Sequence, residues 1–171
     1  MDLLEKMEIY AKDNFVPIAR KDNIEYLQKL IKSERLFNVL ELGSAIGYSA
    51  ICMASVDENV RVTTIERNEK LYNEAVKNIK EAKLEKNINI ILDDIFNVDI
   101  QGKYDLIFID AAKAQYIKFF EKFSPLLSEN GVIISDNIEL LDLQKLTDSK
   151  KSKRLVEKMQ DYKKYELRLE S

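Results

Sequence analysis

The 171-residue chain is predicted to fold as an α/β protein built on an open, mainly parallel sheet with helices on both faces. Three observations predict this. Short β-rich runs alternate with helical segments along most of the sequence. No repeat, low-complexity linker or second composition regime divides the chain, and its length suits one domain with a sizeable core.

Two amphipathic helices come first, Asp2 to Asp13 and Asn23 to Lys32, the second carrying Ile24, Leu27, Leu30 and Ile31 at helical spacing, with Pro17 marking a break between them. FNVLEL is a strand leading to a helix from about Gly47, and RVTTIE leads to a helix with Leu71, Ala75, Ile79 and Ala82 on one face. INIIL is followed by a short acidic turn with little helix. YDLIFID precedes a helix containing Tyr116, Phe119, Phe120 and Phe123. GVIISD leads, after a loop, to a charged helix near Lys151 to Lys163, and YELRLE is a last, weaker strand.

Composition narrows the chemistry. Hydrophobic residues make up 46% and charged residues 33%, ordinary for a globular protein, and no apolar run reaches the roughly 20 residues of a membrane span. The N-terminus alternates apolar and charged residues, unlike a signal peptide's apolar core. Cys52 is the only cysteine, so no internal disulfide can form; a reducing cytoplasm is the expected compartment and packing the expected role of that thiol. The absence of histidine excludes Ser-His-Asp and Cys-His catalysis and His-ligated zinc. A general base must be Lys, Asp, Glu or Tyr, and a metal site must use oxygen ligands. Net charge is −3, but Asp142 to Ser171 holds nine Lys or Arg against six Asp or Glu, including KKSKR. That cluster reads first as a solvated helix face and second as a patch that meets a polyanion.

In open parallel sheets, ligands bind beyond the carboxyl ends of the strands, where the strand order switches. VLELGSAIGYSA (39–50) places Gly43 and Gly47 after the first strand, with Glu41 two residues before Gly43. A dinucleotide-binding turn would carry glycine where Ala45 stands, to let backbone approach a pyrophosphate. Glu66 ends the second strand, 23 residues after Gly43. A carboxylate only accepts hydrogen bonds, so it suits two ribose hydroxyls. A nucleoside without phosphates, bound here, points to S-adenosylmethionine; the plain alternative is a glycine-rich turn with a helix-capping Glu.

Asp110 ends the fourth strand and Asp136-Asn137 ends the fifth. Two carboxylates and an amide carbonyl form a hard-ligand set suited to Mg²⁺ or a similar divalent cation, although any one Asp alone reads as a helix N-cap. Lys113 follows Asp110 by three residues. A helix N-terminus, a metal ion and a sulfonium would all disfavour its protonated form, making it a candidate general base; otherwise it is a surface cation.

ELGSAIGYSA, TIERN, FIDAAKAQY with the following FF, and GVIISDN resemble the cation-dependent (family 3) O-methyltransferases related to catechol and caffeoyl-CoA O-methyltransferases. The likeness is greatest to their bacterial branch, which includes tRNA 5-hydroxyuridine methyltransferases, and it covers roughly Asn14 to Asn137. It implies a Rossmann-like, doubly wound sheet of the class I methyltransferase type in a single domain: N-terminal helices over 1–33, a cofactor- and metal-binding core over 36–137, and a substrate-side loop, helix and edge strand over 138–171. Glu41, Gly43, Tyr48 and Ser49, with Ala19, would line the methionine end of S-adenosylmethionine. Glu66 would hold the ribose, with Arg67, Asp94 and Ile95 near the adenine. Asp110, Asp136 and Asn137 would bind the metal, Asp110 lying close to the methyl donor as well, and Lys113 would be the base. The implied acceptor is tRNA 5-hydroxyuridine or a small catechol-like molecule, and relatives suggest a homodimer. A cofactor- or RNA-binding protein without catalysis is the alternative from another class. The sequence departs from the family at Asp93 and Ala114, where relatives carry Gly, and at IELLDLQKL after Asn137. The chain also stops after YELRLES, where relatives continue to a last antiparallel strand, so a sheet lacking that strand, with a bare edge or an altered order, is expected.

Overall fold

The computed structural model describes residues 1–109, 116–136, 154–159 and 164–168. Helices α1 (Leu3–Asp13) and α2 (Lys21–Glu34) precede strand β1 (Asn38–Leu42). Then follow α3 (Tyr48–Ala54), β2 (Arg61–Glu66), α4 (Glu69–Glu81), β3 (Ile88–Leu92), β4 (Tyr104–Ile109), α5 (Tyr116–Phe123), β5 (Leu127–Asp136), β6 (Arg154–Met159) and β7 (Lys164–Arg168). The strands form one seven-stranded sheet in the order β3-β2-β1-β4-β5-β7-β6, with β1 to β5 parallel and β7 antiparallel to both its neighbours. The order reverses at β1, which lies between β2 and β4. That is the switch point of a doubly wound sheet.

Local chemistry sets the element ends. Asp2 and Glu5 form a reciprocal capping box at the start of α1, the Glu5 N–H donating to Asp2 at 2.8 Å. Asn68 caps α4 by accepting from the Leu71 N–H at 3.0 Å. No helix separates β3 from β4, as the acidic turn after INIIL predicts.

Alternation along the strands divides the core in two. Val39, Leu106, Phe108, Val132 and Ile134 face one side, where α1 to α4 supply Met7, Leu27, Ile31, Met53 and Ile79. Leu40, Leu42, Ile107, Ile109 and Ile133 face the other, against Phe119, Phe120 and Phe123 of α5. The period of two in the strands meets the 3.6-residue period of the helices on both faces. Gly131 marks the register shift in β5: a Cβ there would stand 2.6 Å from Leu127 Cγ and 3.0 Å from the Ser128 carbonyl oxygen.

Two expectations are overturned. Residues 154–159, predicted as part of a charged helix near Lys151 to Lys163, form strand β6. The local composition favours helix, but pairing with β7 along the whole strand outweighs it. The expected bare edge beside β5 does not form either, because β7 pairs with β5 from Val132↔Arg168 to Asp136↔Lys164. The rest of the KKSKR cluster, residues 150–153, lies outside the described residues.

Phe123 is 1% exposed and anchors α5 to the sheet. Phe123→Ala is expected to lower unfolding free energy by about 3–5 kcal/mol in urea titrations, through lost burial and the cavity left behind.

Candidate functional site

The site is assembled at the carboxyl edge of the parallel strands. After β1 the chain makes a tight loop, Gly43 to Gly47, in which Gly43 (φ 102), Ala45 (φ 47) and Gly47 (φ 86) are all left-handed. The Ser44 N–H donates to the Ile65 carbonyl at 2.9 Å and the Gly47 N–H to the Ser44 carbonyl at 3.0 Å. Gly47 leads directly into α3, and its left-handed φ favours glycine; a Cβ there would meet Ala75 Cβ at 3.4 Å, an ordinary contact.

Two side chains pin this loop. Glu66, at the end of β2, accepts the Ala45 N–H at 2.7 Å through Oε2 and the Asn68 N–H at 2.9 Å through Oε1. From behind, the buried Asn78 of α4 donates to the Ile46 carbonyl at 2.9 Å. A carboxylate has about four lone-pair sites. Two are used by backbone, which leaves capacity for hydroxyl donors entering the cavity.

Beyond β3 the Asp94 carboxylate accepts the Phe96 N–H at 2.8 Å and lies 4.0 Å from Arg67. Lys122 of α5 donates to the carbonyls of Ile95 (2.8 Å) and Val98 (2.9 Å). The rings of Phe96 and Phe119 stack at 4.9 Å, so α5 holds this loop by an ammonium and by an aromatic pair.

These elements enclose a cavity of about 470 Å³. Ala19, Gly43, Tyr48, Ser49, Glu66, Arg67, Asp94 and Ile95, all expected at a cofactor site, line it together. Glu41 does not: at 0% exposure it stands behind the wall, accepting hydrogen bonds from the Ser49 hydroxyl and, at 2.7 Å, from the Thr64 hydroxyl. Val16, Pro17, Ile18, Ser44, Ala45, Ile65, Asn68, Leu71, Phe96 and Phe119 line the cavity as well and were not expected there. Of these, Asn68 ends the TIERN stretch and Phe119 belongs to the FF pair, so both were within reach of the motifs. Ser44 is 2% exposed, and its Oγ finds no hydrogen-bond partner among the described residues.

Asp110, Lys113 and Asn137 lie outside the described residues, as does the side chain of Asp136. The backbone does show that β4 and β5 finish at the same edge, Ile109 pairing with Ser135. Among the described residues, no three acidic or thiol groups cluster as metal ligands, and no helix is long and apolar enough to cross a membrane.

Ionisation at the site follows burial. Burial first, then the hydrogen bond to Glu8, pushes the Tyr48 phenol well above its ordinary value, and the same bond, at 2.7 Å, lowers the Glu8 carboxyl. Burial, with Glu41 and Glu8 adding to it, pushes the Cys52 thiol up to about 12, consistent with packing inside α3.

A doubly wound sheet with its cavity beyond the carboxyl ends of the strands defines the Rossmann-like class of α/β protein. Within that class the chain belongs to the O-methyltransferase family, whose model matches residues 3–170. It is 33% identical over 124 residues to tapetum-specific methyltransferase 1 of Arabidopsis thaliana, covering 68% of this chain and 53% of that protein. It is 34% identical over 121 residues to catechol O-methyltransferase of Niastella koreensis, covering 67% and 55%. The chain thus spans about half the length of the curated relatives it matches. Among solved structures, a caffeoyl-CoA O-methyltransferase candidate from Staphylococcus aureus superposes with a TM-score of 0.83 at 28% identity, covering 100% of this chain and 93% of that one. The SAH-bound methyltransferase PaMTH1 of Podospora anserina shares the fold, with a TM-score of 0.86 at 19% identity and coverage of 100% and 89%.

Asn78→Ala is expected to cost about 1–3 kcal/mol, because it leaves the Ile46 carbonyl buried and unpaired; chemical denaturation measures it. The lowered carboxyl of Glu8 sets a pH dependence. A folded-state value below the unfolded one adds stability that is present above the ordinary value of 4.5 and lost as pH falls through the lowered one. Melting temperature should therefore drop less steeply below that value in Glu8→Gln than in the parent chain, as calorimetry across acid pH would show.

Proposed function

We propose that this chain binds S-adenosylmethionine in the cavity and promotes transfer of its methyl group to a hydroxyl oxygen, with a divalent cation, Mg²⁺ or similar, at the neighbouring strand ends. The observation that carries the reading is Glu66: a carboxylate inside the cavity, fixed by two backbone N–H groups and still able to accept from two hydroxyls. The orphaned Ser44 hydroxyl, in the loop that lines the cavity, is a further group that a ligand could satisfy. Tyr48, Ser49 and Ala19 would meet the methionine end, with Glu41 acting through Ser49; Glu66 would hold the ribose, and Arg67, Asp94 and Ile95 would bound the base.

The parallel register that ends β4 and β5 at one edge supports a cation held by Asp110, Asp136 and Asn137, whose hard oxygen donors fit Mg²⁺. Bound there, such a cation would lower the pKa of a chelated hydroxyl. Lys113, kept neutral by the surrounding positive charge, would take that proton, while the cavity walls orient the resulting oxyanion.

The acceptor then carries two adjacent oxygens. The first reading is 5-hydroxyuridine of tRNA at the wobble position, favoured by the basic balance of residues 142–171. The second is a small catechol-like molecule, favoured by the likeness to the Niastella koreensis catechol O-methyltransferase. The single cysteine, buried in α3, favours a reducing cytoplasm, and a homodimer is the assembly we propose.

Calorimetric titration with S-adenosylhomocysteine tests the cofactor. Glu66→Ala should weaken binding about 100-fold, the loss of two hydrogen bonds to a charged group. Methyl transfer from labelled cofactor to tRNA and to a catechol panel, read by mass spectrometry, ranks the acceptors. Transfer should vanish with chelator and in Asp110→Ala or Lys113→Ala. Transfer undiminished by chelator refutes the cation's role, and cofactor binding without transfer to either acceptor class leaves a binding protein.

A further inference from the structure

The outer wall of the cavity is a strap. Residues 14–20 join α1 to α2, and Val16, Pro17, Ile18 and Ala19 within them line the cavity. The two helices flanking the strap are clasped by one side chain. Glu8 of α1 accepts an ion pair from Lys21, the first residue of α2, with Nζ 3.2 Å from Oε2. Its other oxygen accepts the Tyr48 hydroxyl at 2.7 Å, and Tyr48 opens α3 and itself lines the cavity. One carboxylate therefore fastens both ends of the strap to the cavity floor.

The strap is held under strain. Phe15 has φ 55 and is 92% exposed. A bulky residue in the left-handed region costs about 1–3 kcal/mol and persists only where the surroundings over-determine the backbone. Burial of the ring does not offset that cost here. The backbone bonds nearby, Asn14 N–H to the Tyr10 carbonyl and Val16 N–H to the Ala11 carbonyl, tie the strap to α1 alone. Apolar packing joins α1, α2 and α3 and seats Val16, Ile18 and Ala19, and a polar link among the three helices runs through Glu8.

We propose that Glu8 is a positioning residue of this cavity: by holding Lys21 and Tyr48 at once it sets the strap, and through it the wall that faces the ligand. The ligand used to test this rests on the reading of the cavity as an S-adenosylmethionine site, whereas the clasp itself does not.

Two measurements separate these. In amide hydrogen exchange of the unliganded chain, Glu8→Ala should speed exchange across residues 14–20 by about tenfold while residues 69–81 of α4 keep the parent rates. In calorimetric titration with S-adenosylhomocysteine, Glu8→Ala should raise Kd by about tenfold, and Glu8→Gln, which keeps an acceptor for the Tyr48 hydroxyl, should recover most of that loss. A merely structural role would lower the melting temperature and speed exchange in the strap and α4 alike, leaving Kd unmoved. The positioning role is overturned if the strap exchanges no faster than in the parent chain, or if Glu8→Ala binds within about twofold of it. If the parent chain fails to bind S-adenosylhomocysteine while the strap is selectively released in Glu8→Ala, the cofactor reading falls and the clasp stands.

Discussion

One carboxylate at the end of β2 fixes the relation between the two loops on which the cavity depends. Glu66 reaches back to the Ala45 N–H in the loop after β1 and forward to the Asn68 N–H at the entry to α4. It also lends its own carbonyl to the Asp93 N–H after β3. Three strand ends, β1, β2 and β3, are thereby tied through a single residue. Parallel strands offer no such linkage of their own, because their hydrogen bonds stop where the strands stop. A side chain that spans the gap is how the edge of the sheet becomes a shaped wall.

Much of this was legible in the sequence, because the relevant signals are local. Apolar runs of five or six residues fixed the five parallel strands, and glycine at positions 43 and 47 marked the loop that needs left-handed backbone. The carboxylate ending β2 stood out through its distance from that loop. The side chains that hold the site together leave no local trace. Asn78 reaches Ile46 across 32 residues, Tyr48 reaches Glu8 across 40, and Lys122 reaches Ile95 across 27. None of these pairings can be read from the residues around it, because the packing of α1, α3, α4 and α5 brings each side chain to its partner.

The C-terminal hairpin shows the opposite failure, a local signal that misleads. Lys, Glu, Met and Arg in residues 154–159 are good helix formers, and the pattern reads as a solvated helix. The structure instead adds β7 to the side of β5 and β6 to the side of β7. A strand at the growing edge of a sheet gains a row of backbone hydrogen bonds that an isolated helix with few apolar contacts cannot match. Glu41 misleads more subtly. The family resemblance implies a place at the methionine end of the cofactor, yet alternation along β1 turns Glu41 to the face it shares with Val39, buried beside Ser49 and Thr64. Whatever Glu41 does for a ligand passes through Ser49, whose hydroxyl it holds.

The cavity therefore has two kinds of wall. On the β1–β2 side, Ala45 sits at φ 47, a conformation unfavourable for alanine, but Glu66 and Asn78 grip the loop from opposite directions. The strain there is locked in by groups that are themselves part of the sheet and its covering helix. On the strap side, Phe15 carries similar strain at the surface, where the neighbouring Val16, Ile18 and Ala19 pack on the core and Glu8 adds an exposed lysine and one buried phenol. An exposed ion pair contributes little, so of the two contacts Glu8 makes the phenol–carboxylate hydrogen bond does most of the holding. The rigid wall is where a ligand would be recognised by fixed donors and acceptors. The strap is the wall whose setting rests on that hydrogen bond together with the apolar packing of Val16, Ile18 and Ala19 against the core.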